Sequence, residues 1–240
     1  MTASFDKVLL DDASRPFRGS GRFAYHYSRG KLSSDCIFRE VLKRGIFPPQ
    51  ARFLDLGCGQ GSLFAWLLAA RKLYEQGHWP GDWPMPPKPL GLRGVELMQS
   101  DVDRGARAFG ADHPLVSIRQ GDMCRADLGE ADVVTILDAL HYIDHARQAD
   151  LLRRIRAALP AGGLFLTRVG DAGAGLPYHI CNWVDHAVTF VRGHRLPRLH
   201  CRKLGEWIEL LGGLGFQVEA MPMSQGKPFA NVMLVSRVPA

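Results

Sequence analysis

The stretch Arg52-Phe53-Leu54-Asp55-Leu56-Gly57-Cys58-Gly59-Gln60-Gly61-Ser62 decides how the chain is read. A short apolar run ends in an acid, and three glycines follow at alternate positions. Leu63-Phe64-Ala65-Trp66-Leu67-Leu68-Ala69-Ala70 then reads as a buried helix. The order is strand, tight turn, helix. Glycine lets the backbone turn sharply, and lets a ligand approach the main chain with no Cβ in the way. A plain Gly-rich turn is the alternative. The dinucleotide fingerprint G-x-G-x-x-G is missed by one residue: counted from Gly57 its last position is Ser62, whereas the third glycine is Gly61.

Working downstream, Gly77–Pro89 holds five prolines and two tryptophans. Proline removes a donor and fixes φ, so this is an inserted loop, spanning about 77–90, and not a helix or central strand. Its tryptophans either fold back on the surface or make a subunit contact. Leu90–Leu97 returns to strand and ends in Glu96. In nucleotide-binding α/β folds an acid at this point accepts hydrogen bonds from ribose hydroxyls, usually about 20 residues past the glycines. Glu96 stands 35 residues past Gly61, and the proline loop accounts for the excess. Gln99–Phe109 reads as a helix and Leu115–Gln120 as a third strand, followed by Gly121-Asp122-Met123. Ala131–Leu137 is nearly all apolar, as a buried parallel strand should be, and Asp138-Ala139-Leu140-His141-Tyr142-Ile143 lies at its carboxyl end. Ligands of open α/β sheets bind at such ends. Asp144 caps a helix that stops at Pro160-Ala161-Gly162-Gly163, and 164–169 is a fifth strand. Gly170–His200 is a second insertion, with a possible helix around 182–191. A helix over Leu204–Leu211 and strands at 215–218 and 230–236 close the chain. The fold class expected is α/β: a doubly wound, mostly parallel seven-stranded sheet with helices on both faces.

Upstream, residues 1–22 read as irregular. Phe23-Ala24-Tyr25-His26-Tyr27 is an aromatic cluster, broken by Arg29-Gly30-Lys31-Leu32. Ser33 or Ser34 is expected to cap a helix over 35–44, with Gly45 as its stop. Residues 1–49 are thus a helical extension, and 50–240 the main domain. The aromatic cluster either packs on the core or forms a flap.

Composition sets outer bounds. The 240 residues are 46% hydrophobic, which suits one elaborated α/β domain. No run approaches 18 apolar residues, so no membrane span is expected. The N-terminus lacks the apolar core of a signal peptide. Five cysteines without a C-x-x-C spacing argue for reduced thiols in a cytoplasmic protein, and against a disulfide frame or zinc site. The net charge of +6 is scattered; its densest group, Arg153, Arg154 and Arg156, reads as a solvated helix face, so no nucleic-acid partner is expected.

Leu54–Gly61 resembles the first motif of class I S-adenosylmethionine-dependent methyltransferases, and the later signals follow in that family's order over about 50–169. The resemblance implies S-adenosylmethionine as cofactor, S-adenosylhomocysteine as product, and no metal. It implies that Asp55, Gly57, Cys58, Gly59 and Gly61 hold the cofactor, with Glu96 on the ribose diol beside Leu97. Asp122 would accept from the adenine amino group, Met123 would cover a ring face, and Asp138 belongs to the same set; a turn role is the alternative for Asp122. The last two strands would pair antiparallel, and the 170–200 insertion would recognise the acceptor. Tyr25, His26, Tyr27 and His179 form the expected substrate and cap group. His141, three residues past Asp138, is the expected acceptor-side base, against rivals His26 and His179 and a packing role.

The acceptor is expected to be a small molecule. The N-P-P-Y tetrapeptide of amino-methylating nucleic-acid enzymes is replaced by Asp138-Ala139-Leu140-His141. Tyr25–Leu32, Ile136–Tyr142 and Met223–Val232 resemble a bacterial subfamily associated with aryl-polyene pigment biosynthesis. That implies an aromatic or polyenoic acyl acceptor, free or carrier-bound. Two other readings stand beside this one: a non-catalytic binding or regulatory protein on the same fold, and a nucleotide-cofactor oxidoreductase, against which the missing glycine counts.

Overall fold

The computed structural model describes residues 2–175, 199–223 and 231–240. The chain divides into two compact units, Met1–Asp127 with Ala131–Val133, and Leu128–Glu130 with Val134–Ala240.

The first unit opens with helices. α1 (Thr2–Ser14) leads into a 3-10 turn (Arg15–Ser20), then α2 (Arg22–Ser34) and α3 (Cys36–Lys43). The expectation of an irregular 1–22 is therefore corrected. Leu9, Ala13 and Phe17 are fully buried, and Asp12, which looked like a loop residue, pairs with Lys72 at 2.8 Å. Gly30 does not break α2 either. An interior glycine costs about 1 kcal/mol, and the burial of Ala24, Ser28 and Leu32 along one face offsets it. The cap of α3 is Asp35, whose carboxylate accepts from the Ile37 amide at 3.2 Å. Ser33 and Ser34 cannot cap, because they end α2 and their hydroxyls donate back to the Gly30 carbonyl.

β1 (Gln50–Leu56), α4 (Ser62–Glu75), β2 (Lys88–Glu96), α5 (Gln99–Phe109) and β3 (Val116–Gln120) follow. β2 pairs in parallel with β1 (Leu56 opposite Val95) and with β3 (Glu96 opposite Gln120). These registers bring the carboxyl ends of the three strands level. The proline loop ends earlier than expected, because Lys88 and Pro89 already belong to β2; Pro89 is tolerated at the start of the strand, beside an irregularity in register. Its tryptophans fold back. Trp79 and Trp83 meet the Phe5 ring edge-on at 5.3 and 5.5 Å, Trp83 is buried, and the Arg39 guanidinium lies 5.0 Å from its ring.

The second unit carries β4 (Val133–Leu137) onward: a 3-10 turn (Leu140–Tyr142), α6 (His145–Ala158), β5 (Leu164–Gly170), α7 (Leu204–Gly213), β6 (Gln217–Pro222) and β7 (Asn231–Arg237). Asp144 caps α6 as expected, accepting from the Arg147 amide at 2.8 Å. β7 runs antiparallel to both β5 and β6. The seven strands hydrogen-bond in the order β3-β2-β1-β4-β5-β7-β6, so the sheet is mixed.

Candidate functional site

The turn after β1 is built on three left-handed glycines, with φ of 77° at Gly57, 57° at Gly59 and 86° at Gly61. They serve different ends. A Cβ on Gly61 would stand 2.8 Å from the Phe109 ring and 2.9 Å from Ile118, so this glycine lets α4 start close against α5 and β3. A Cβ on Gly59 would meet nothing within 4 Å. Beside Gly59 the backbone is bare and the space open, which is the form of a cradle. The Gly57 and Cys58 amides donate to the Val95 carbonyl at 2.8 and 3.3 Å, tying the turn to β2.

Glu96 completes this arrangement. One carboxylate oxygen accepts from the Gly59 amide and the other from the Met98 amide, each at 2.9 Å. The acid ending β2 is thereby fixed at the tip of the glycine turn. Leu97, next in the chain, is 64% exposed, an unusual place for a leucine with no cover. Asp122 and Met123 are half-buried just past β3, where the Gly121 amide donates to the Glu96 carbonyl at 2.9 Å. Asp122 also performs the turn role, since its Oδ1 accepts from the Cys124 amide at 2.9 Å. Asp55 is buried at the end of β1. Cys58 is buried too, its sulfur filling the space where Gly94 has no Cβ. Burial, then the nearby Asp55 and Glu96 charges, push its thiol well above the usual range. Cys58 is therefore a neutral packing group and not a nucleophile.

Three residues of this site were missed in the sequence. Gln60 donates from Nε2 to the Ala24 carbonyl at 2.8 Å and to the Ser28 hydroxyl at 2.5 Å. The Ser28 and Ser62 hydroxyls share a hydrogen bond of 2.9 Å. All three side chains are buried. The only signal in sequence was Ser28 standing in helical register with Ala24 and Leu32. Among the expected cap residues, Tyr25 packs against the buried cluster of Phe17, Ala24 and Ala65, and the Arg18 guanidinium holds its phenol below the usual range. His26 is exposed with its ring against Tyr25, and Tyr27 stacks on Phe23.

In the second unit, Asp138 follows β4 with φ +61°, the one left-handed non-glycine among the described residues. Its carboxylate accepts from Arg168 twice, through Nε at 2.6 Å and through the guanidinium Nη2. His141 lies in the following 3-10 turn, its ring 4.2 Å from that of Tyr142. Burial holds its imidazole below the ordinary histidine range; Asp138 pulls upward and Arg168 adds to the lowering. The turn is pinned from behind by the buried Gln148, which donates to the carbonyls of Leu140, Ile143 and His200 and accepts from Arg202. His200 in turn donates its amide to the His141 carbonyl at 2.9 Å. His179, the expected helix near 182–191 and the segment 224–230 lie outside the described residues.

Residues 54–165 match a family model described as a methyltransferase domain. No curated protein matches the sequence. Among solved structures, an O-methyltransferase family protein from Burkholderia thailandensis is 16% identical with a TM-score of 0.61, covering 93% of this chain and 62% of that one. The magnesium protoporphyrin IX methyltransferase of Synechocystis PCC 6803, with S-adenosylhomocysteine bound, is 15% identical with a TM-score of 0.57, covering 95% of this chain and 93% of that one. Human N-acetylserotonin methyltransferase, in complex with S-adenosylmethionine, is 17% identical with a TM-score of 0.58, covering 93% of this chain and 58% of that one. The first and third are longer proteins, of which this chain spans about three-fifths. At such identities the likeness is one of fold, a Rossmann-like α/β sheet. Among the described residues no group of three or more His, Cys, Asp or Glu is placed to hold a metal ion. No described helix is long and apolar enough to cross a membrane.

Proposed function

We propose that this protein transfers the methyl group of S-adenosylmethionine to a small-molecule acceptor. The observation that carries the reading is the joining of Glu96 to the Gly59 amide beside open space at a left-handed glycine. The residues fit the cofactor. The bare backbone at Gly57 and Gly59 admits the close approach of a nucleoside-linked chain. The Glu96 carboxylate can accept from both ribose hydroxyls while its amide contacts hold it in place, since an ionised carboxylate has about four lone-pair sites. Asp122 has a second oxygen for the adenine amino group, and exposed Leu97 and half-buried Met123 offer apolar cover to a purine face. Asp55, buried at the end of β1, completes the set in this unit. When bound, S-adenosylmethionine supplies an electrophilic methyl group that needs no metal to be displaced.

An oxygen acceptor is favoured by the fold likeness to the Burkholderia protein, which is named as an O-methyltransferase family member. A hydroxyl must lose its proton on methylation. His141 is the residue assigned to take it: with its pKa lowered, the imidazole is neutral at pH 7, the form a base requires. Tyr25, His26, Tyr27 and His179 remain the acceptor-side group. An aromatic or polyenoic acceptor, free or carrier-bound, rests on the subfamily segments alone. A cytoplasmic location is supported by five cysteines without a C-x-x-C spacing. Calorimetry with S-adenosylmethionine, S-adenosylhomocysteine and NAD tests the reading. Binding of the first two without added metal is expected. Binding of NAD in their stead, or of none of the three, refutes it.

A further inference from the structure

The glycine turn raises a mechanical question. Gly57, Gly59 and Gly61 all populate left-handed backbone, and glycine reaches both halves of φ space with almost equal ease. A turn of this composition has many conformations to lose when it receives a ligand. Something must hold its tip in one of them. Glu96 does so from one side, through the Gly59 amide. Gln60, between the second and third glycines, does so from the other, through Ala24 and Ser28 of α2. The line continues from Ser28 to Ser62, the first residue of α4.

We infer that Ser28 and Gln60 are positioning residues of the cofactor site, through which α2 holds the glycine turn in its receiving conformation. This rests on the cofactor reading above. The elements concerned are local to one unit, and α2 lies outside the stretch matched as a methyltransferase domain. Burial gives the link its force: Gln60 is 1% exposed, Ser28 fully buried and Ser62 5% exposed. In such surroundings a polar group that loses its partner stays unsatisfied, so the three side chains are fixed by one another. A contact needed only to pack α2 on α4 would be met by apolar side chains, and Phe17, Ala24 and Ala65 already supply that. The polar link is directed instead at the one residue that separates Gly59 from Gly61. The extension is then part of the cofactor site, although none of its side chains need touch the cofactor.

The test uses the full chain and S-adenosylhomocysteine as probe. Ser28→Ala, Gln60→Met and the double variant are compared with wild type by calorimetry, well below each protein's melting transition. Each single change is expected to raise the dissociation constant about three- to tenfold, as for one lost neutral hydrogen bond. The double variant should be no weaker than the worse single one, because both cut the same link. Folded variants that bind within twofold of wild type overturn the inference, as do losses that multiply in the double variant. If Gln60→Met does not fold, Ser62→Ala takes its place under the same thresholds. A wild-type protein that fails to bind the probe overturns the cofactor reading itself, and this inference with it.

Discussion

Glu96→Ala is the perturbation whose outcome is set most directly by geometry. The carboxylate holds two backbone amides at 2.9 Å, those of Gly59 and Met98, and in the proposed complex it also accepts from the ribose hydroxyls. Hydrogen bonds to a charged group contribute about 1.5–3 kcal/mol each. Losing the equivalent of one on the ligand side corresponds to a dissociation constant raised about tenfold to 150-fold. Loss of the two amide contacts also frees the turn, so the melting temperature should fall. The two effects can be separated with a cofactor analogue lacking the ribose hydroxyls. Wild type should lose affinity for the 2′,3′-dideoxy form of S-adenosylhomocysteine by about the factor that Glu96→Ala loses for the parent compound. The Ala variant should be nearly indifferent to the deletion. Calorimetry on the four pairs closes the cycle. If the variant discriminates between the two ligands as strongly as wild type, Glu96 anchors the turn only, and the ribose assignment is wrong.

Other outcomes follow from neighbouring residues. Gly59→Val should abolish cofactor binding, because its side chain enters open space at a left-handed position, whereas Gly61→Ala should mainly lower stability, by about 1–3 kcal/mol of overpacking against Phe109 and Ile118; calorimetry and thermal melts distinguish them. His141→Ala should keep S-adenosylhomocysteine affinity, lose about 10²–10⁴ in turnover, and recover partly at high pH where the acceptor ionises unaided; turnover within threefold of wild type would remove His141 as base. Because the folded pKa of His141 lies below its ordinary value of about 6.5, the unfolded chain binds more protons there, and its contribution to stability is lost as pH falls below that value; denaturant titrations of wild type and His141→Phe should diverge on the acid side. Hydrogen exchange across residues 20–32 should slow when S-adenosylhomocysteine binds, and an unchanged pattern would leave Tyr25 and Tyr27 as packing residues.

What could be read from the sequence was what depends on local chemistry. Three glycines after an apolar run permit a tight turn through left-handed backbone, and Gly57, Gly59 and Gly61 adopt one. An acid before a helix caps it, as Asp144 does. Glu96 was legible because strand 2 ends there even after a long insertion, and the parallel register sets it beside the turn. The errors fall where a polar residue's place is decided by a distant partner. Asp12 resembled a loop residue until paired with Lys72, and without that pairing and the burial of Leu9 nothing marks α1 as a helix. Trp79 and Trp83 gave no sign that Phe5 would receive them. Gln148 reads as one more polar residue on a charged helix, yet it is fully buried, and one of the carbonyls it binds lies at His200. Gln60 is the same case at the cofactor turn: a glutamine among glycines suggests solvent, and the burial that makes it matter comes from Ser28, thirty-two residues earlier. A buried amide is tolerated only where carbonyls or hydroxyls wait to meet it. Such residues tie together segments that are distant in the chain. In this chain they single out two places, the glycine turn held by α2 and the His141 turn held by the segment returning at His200.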